Sequence, residues 1–157
     1  MTPEDSRRET QQHIDRVGEL ASVFTQMLTQ RASCHDSSKM ESPEVEAFAQ
    51  ATSRLKGLTY GSKAYKQQLE EFQECLRHHY SHNRHHPEHF EQGVEGMSLL
   101  DVVEMFCDWR AATERHADGN IVDSINHNAE RFGLSPQLVA ILMNTVEMFE
   151  KDGSSAS

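Results

Sequence analysis

The chain has 157 residues, room for one domain around a single hydrophobic core and too little for two that each keep their own. Its 25 acidic residues outnumber its 15 basic ones, giving a formal charge of −10 with neutral histidines, and no basic run offsets them, which argues against binding duplex nucleic acid through its phosphates. The three cysteines, Cys34, Cys75 and Cys107, are odd in number and widely spaced, which excludes a disulfide framework and a cysteine zinc knuckle.

The opening segment MTPEDSRRETQQHID carries no apolar signal core, and no stretch approaches the roughly 18 apolar residues that span a bilayer, so a cytoplasmic protein without membrane contact is expected. Apolar residues recur at spacings of three and four with almost no alternation, which predicts an all-α chain of about six helices. The first should run from about Pro3 to Ala32 on a stripe of Ile14, Val17, Leu20, Phe24 and Leu28, with His13 at its edge. A polar break, Ser33 to Lys39, follows. Ser42 as N-cap and Pro43 at the first helical position should open the second helix, which ends near Lys56-Gly57. Ser62 can cap the third, whose stripe Tyr65, Leu69, Phe72, Leu76 continues into His79 and Asn83 before Pro87 stops it. Ser98 and Asp101 have capping-box spacing at the start of the fourth, and from Leu99 to Trp109 this helix is apolar nearly all round, as befits the middle of a bundle. The fifth covers Ile121 to Phe132 with Gly133 as C-cap, and Ser135-Pro136 opens a sixth that ends at Gly153. Residues 1–152 read as one domain and 153–157 as a disordered tail.

Three groups of residues carry chemistry. In the fourth helix Asp101, Glu104 and Asp108, at i, i+3 and i+7, share one narrow face of an otherwise apolar segment, and buried carboxylates are costly unless paired or bound to a cation. The plainer reading turns that face to solvent or to a neighbouring Arg or Lys. The run HHYSHNRHHPEH holds six histidines, and imidazole is a ligand for zinc, iron, nickel and manganese. Helical phase places His79 on the buried stripe with His82 and His86 one and two turns on, and directs His78 and His85 elsewhere. The third group is His35-Asp36, an imidazole and a carboxylate side by side at a chain break, with Lys39 three residues later. Trp109 reads as core or pocket wall, and Asn126-His127-Asn128 as surface.

The ordered set His13, His35-Asp36 and Asp108 resembles the ligand quartet of the HD superfamily of metal-dependent phosphohydrolases, with Asp101 as rival for the last place. The strings HDSSK, NRHHPEHF and SLLDVVEMFCDW are similar to an uncharacterised family of small bacterial and phage proteins associated with that superfamily, over roughly His13 to Thr145. The resemblance implies an HD-like fold holding one or two divalent metal ions (Fe, Mn, Zn, Ni, Co or Mg), the second bound by His79 with His82 or His86. It implies hydrolysis of a small phosphate ester, a nucleotide by preference, as the sole partner class apart from a homo-oligomer. Lys39 stands where nucleotidases of the superfamily often carry a glutamate, and Lys39, Arg84 or a histidine of the cluster is expected to stabilise phosphate charge. The base would then be Glu41, Glu44, Glu104 or a water activated by the metal. The alternatives are an HD-type di-iron oxygenase and a non-catalytic helical protein that binds a metal or nucleotide.

Overall fold

The computed structural model describes residues 1–55, 63–115 and 117–153. It contains six α-helices, α1 (Pro3–Ser33), α2 (Glu44–Leu55), α3 (Lys63–His82), α4 (Leu99–Thr113), α5 (Ile121–Phe132) and α6 (Pro136–Gly153), and no strand among the described residues. None of these helices is long and apolar enough to cross a membrane. The chain divides into two compact units, Met1–His35 and Asp36–Ser157.

The first unit is α1. Its start is fixed by a reciprocal cap, in which the Asp5 amide donates to Thr2 Oγ1 at 3.1 Å and the Thr2 amide donates to Asp5 Oδ2 at 3.0 Å, with Pro3 in the first turn. No residue of α1 is buried.

The second unit begins with a short 3-10 turn, Ser37–Met40, entered through a left-handed backbone at Asp36 (φ 54°). α2 opens at Glu44, one residue later than the sequence indicated, because the Pro43 carbonyl accepts from the Ala47 amide at 3.3 Å and the proline stands just outside the first turn. The expected stop at Lys56-Gly57 and the expected cap Ser62 lie outside the described residues, as do positions 154–157 of the expected tail. Phe72 of α3 meets Phe48 of α2 edge-on, with centroids 5.5 Å apart.

α3 ends at His82, five residues short of Pro87. Asn83 brings it to a close, its Nδ2 donating to the His79 carbonyl and to Ser38 Oγ, both at 2.8 Å. His86, constrained by the proline after it, is extended (φ −96°, ψ 128°). The chain therefore turns between 83 and 86 instead of continuing a helical spiral.

α4 carries the capping box that the sequence indicated, with the Ser98 amide donating to Asp101 Oδ2 at 2.7 Å and the Asp101 amide donating to Ser98 Oγ at 3.3 Å. It is not enclosed on every side, since Leu99, Val103 and Cys107 form an exposed line at i, i+4 and i+8. Its other faces supply Met105, Phe106 and Trp109 to a core completed by Ile125 of α5 and Leu142 and Val146 of α6. Each such fully buried side chain contributes about 1.5–3 kcal/mol through removal from water. Gly133 stops α5 in the left-handed conformation (φ 63°) that glycine adopts without a Cβ penalty.

Candidate metal centre

Two buried glutamates organise the polar side of the second unit. Glu44, in the first turn of α2, is fully buried, and its carboxylate accepts from Ser38 Oγ at 2.9 Å while facing His78 Nδ1 at 2.8 Å and His79 Nδ1 at 2.9 Å. Burial alone would raise its pKa, but the hydrogen bonds from His78, His79 and Ser38 and the charge of His79 outweigh that and hold it below the usual carboxylate range. An ionised carboxylate only accepts, so the Nδ1 of His79 carries a proton and donates to it, which turns Nε2 to the opposite side of the ring.

The same construction recurs on α4. Glu104 Oε1 lies 3.2 Å from Nδ1 of His85, whose ring is almost wholly buried, and so directs the His85 Nε2 in the opposite direction. Both Nε2 atoms converge on one oxygen: His79 Nε2 and His85 Nε2 each lie 3.4 Å from Asp36 Oδ1. His86 joins them, its Nε2 2.9 Å from that of His79. Burial, with His85 and His79 alongside, pushes the His86 pKa down to about 3, so this ring is neutral at ordinary pH and offers a lone pair.

Asp36, His79, His85 and His86 thus supply one ligand atom each, all within 4.8 Å of one another, and Asp36, His85 and Asp108 do the same around a second, overlapping point. Ligand atoms at the corners of a tetrahedron with bonds of about 2.0–2.1 Å stand about 3.3–3.4 Å apart, which is the separation of Asp36 Oδ1 from His79 and His85. Ring nitrogens gathered around a carboxylate oxygen at these separations are a donor set suited to a divalent cation. The clusters can therefore hold a metal ion.

Of the residues singled out in the sequence, Asp36, His79, His86 and Asp108 come together. Lys39 lies beside them, its Nζ donating to Asp36 Oδ2 at 2.7 Å. Glu104 lies behind the His85 ring, away from the shared oxygen. Asp101 is fully buried as the cap of α4 and receives the Arg84 guanidinium in two 3.3 Å contacts, so Arg84 is directed to this cap. His82 is exposed, stacked on His78 at a centroid distance of 4.2 Å, and belongs to neither cluster. His13 is an exposed residue of α1, and His35 closes the first unit.

His85 is the ligand that the sequence directed elsewhere. The phase used to rank the histidines assumed a helix as far as Pro87, whereas the helix ends at His82 and the turn after it reorients His85 and His86 together. Asn83 and the His86-Pro87 junction were the available signals.

A cavity of about 260 Å³ opens beside the cluster, lined by His86 and Asp108 together with Trp109, Asn128 and Phe132. Asn128, expected at the surface, is buried on the same face of α5 as Ile125.

The sequence profile of a family of unknown function, DUF5662, matches residues 2–148. No curated protein and no solved structure matches the chain.

Proposed function

The chain belongs to DUF5662, a family whose function is unknown, and from its chemistry we propose that it is a metal-dependent phosphohydrolase of the HD type acting on a small phosphate ester, a nucleotide among the candidates. The observation that carries the reading is the convergence of three imidazoles and a carboxylate on one point beside a cavity. A divalent metal held by Asp36, His79, His85, His86 and Asp108 would lower the pKa of a bound water toward neutrality and neutralise phosphate charge. Glu44 and Glu104 hold the ligand rings in the tautomer that binds metal. Lys39, paired with Asp36 Oδ2 and 37% exposed, places its ammonium beside the cluster and is the group proposed to contact phosphate. The two further ligands implied by the HD resemblance, His13 and His35, belong to the first unit and enter the proposal on that resemblance alone.

The test is phosphate release from a panel of ribo- and deoxynucleotides and simple phosphate monoesters by protein loaded separately with Mn, Fe, Zn, Ni, Co and Mg. Release that disappears with His79→Ala is expected; no release from any substrate with any metal would overturn the reading. The histidine-rich ligand set also favours a second reading, a di-iron oxygenase, for which iron content with substrate-dependent oxygen consumption is the discriminating measurement.

A further inference from the structure

The cavity beside the cluster has a composition of its own. Trp109 and Phe132 are stacked with nearly parallel rings, 5° apart in plane at a centroid distance of 6.3 Å, and give the lining an aromatic, apolar side. Asn128 sits on the same lining, 9% exposed, and its Nδ2 donates to the Ser124 carbonyl at 3.0 Å and to Ser124 Oγ at 3.4 Å. A carbonyl only accepts, so the amide cannot be flipped, and its acceptor, Oδ1, is the atom left for a ligand. Arg131 is the only Lys or Arg among the described lining residues, and Glu88 holds it at 2.6 Å while its guanidinium lies over Phe132 at 4.6 Å. At about 260 Å³ the cavity falls below the usual range of about 300–1,000 Å³ for ligand pockets.

Taken with the proposed phosphohydrolase reading, on which it rests, we propose that this cavity receives the non-reacting part of the substrate: one uncharged planar ring bearing an N–H or O–H donor, carried on a single phosphate. His86 and Asp108 border the reacting end. Trp109 and Phe132 select a flat group over a flexible aliphatic one, and Asn128 Oδ1 selects a ring with a donor over one without. A second phosphate meets no unpaired Lys or Arg among the described lining residues, because Glu88 neutralises Arg131. Asn128 is accordingly a specificity-determining residue.

Trp109 is the sole tryptophan of the chain, so its emission reports occupancy of the cavity directly. The test titrates metal-loaded protein with three phosphonates whose C–P bond cannot be hydrolysed: 4-aminophenyl-, phenyl- and propylphosphonate. Saturable changes in emission are expected, with the 4-aminophenyl compound at least tenfold tighter than the propyl compound and about fivefold tighter than phenylphosphonate, an advantage that hydrogen-bond readout against an unpaired acceptor supplies. Asn128→Ala should erase the difference between the two aryl ligands while leaving phenylphosphonate binding within twofold and metal content unchanged. Equal affinities for all three ligands, no binding of any, or equal weakening of all three by Asn128→Ala would each overturn the proposal. The comparison of ligands on the unaltered protein decides the matter even if the variant does not fold. Ligand discrimination without phosphate release from 4-aminophenyl phosphate would leave the pocket standing and remove the hydrolase; release without discrimination would do the reverse.

Discussion

α4 separates two interiors that follow opposite rules. Toward α5 and α6 it packs Met105, Phe106 and Trp109 against Ile125, Leu142 and Val146 in an apolar core. Toward the turn that follows α3 it contributes Asp101, which meets Arg84, and Glu104, which meets His85, and these buried acids with Glu44, His79, Asn83 and His85 make up the buried polar residues on this side. Burial stabilises the first interior. In the second, burial costs free energy that hydrogen bonds recover only in part, and it gathers three ring nitrogens around one carboxylate oxygen. The contrast locates stability in one interior and function in the other.

The largest way to break that contrast is to damage the core alone. Ile125→Ala, at a fully buried position, should destabilise the protein by about 2–5 kcal/mol, read by denaturant unfolding, while the metal content of the folded fraction stays unchanged. A parallel loss of metal by folded protein would show that the two interiors are not separable.

Next comes the polar interior. Glu44→Gln replaces an acceptor that holds His79 Nδ1–H with an amide that competes to donate to it. Metal affinity by chelator competition should fall about 10–100-fold, with Glu104→Gln doing the same through His85. Unchanged affinity in both variants would remove the glutamates from the site.

Acid should open the polar interior before the core. Glu44 has a folded pKa below the usual carboxylate range, so its contribution is present above the ordinary value and lost as pH falls through the depressed one. His86, held neutral down to about 3 against an ordinary 6.5, destabilises the fold progressively as pH falls between those values, because the unfolded chain takes up the proton first. Both signs agree. The metal-free protein should lose thermal stability from about pH 6.5 downward, and His86→Ala should flatten the upper part of that slope. A flat profile from pH 7 to 4 would contradict the neutral-ring assignment.

The smallest expected effect is at His82, which shares the sequence neighbourhood of the cluster but not its interior. His82→Ala should leave metal stoichiometry unchanged and stability within about 0.5 kcal/mol; a loss of metal would mean that α3 presents a different face.

Much of this division was legible in the sequence. The i, i+3, i+7 acids on an apolar helix predicted buried carboxylates, and the stripe of α3 running through Leu76 into His79 and Asn83 marked where its buried face turns polar. The six helices follow from apolar spacing and caps, since those signals are local. What stayed hidden was set by chain turns and by contacts between distant elements. His85 was missed because a single early helix end resets the side-chain direction of everything after it. Glu44 was one candidate base among several, because nothing in the first turn of α2 reveals that two histidines 34 and 35 residues later will surround it. Asn128 lay in a polar run, yet its spacing of three from Ile125 and four to Phe132 placed it on the inward stripe of α5.

The most direct measurement is calorimetric titration of the metal-free protein with Zn²⁺ and Mn²⁺, on the unaltered chain and on Asp36→Ala, His79→Ala and His86→Ala. Saturable binding of at least one ion per chain, weakened at least tenfold by each substitution while circular dichroism stays helical, is the expected result. No binding to the unaltered chain, or binding that all three variants retain, would contradict the claim that these imidazoles and this carboxylate form a metal centre.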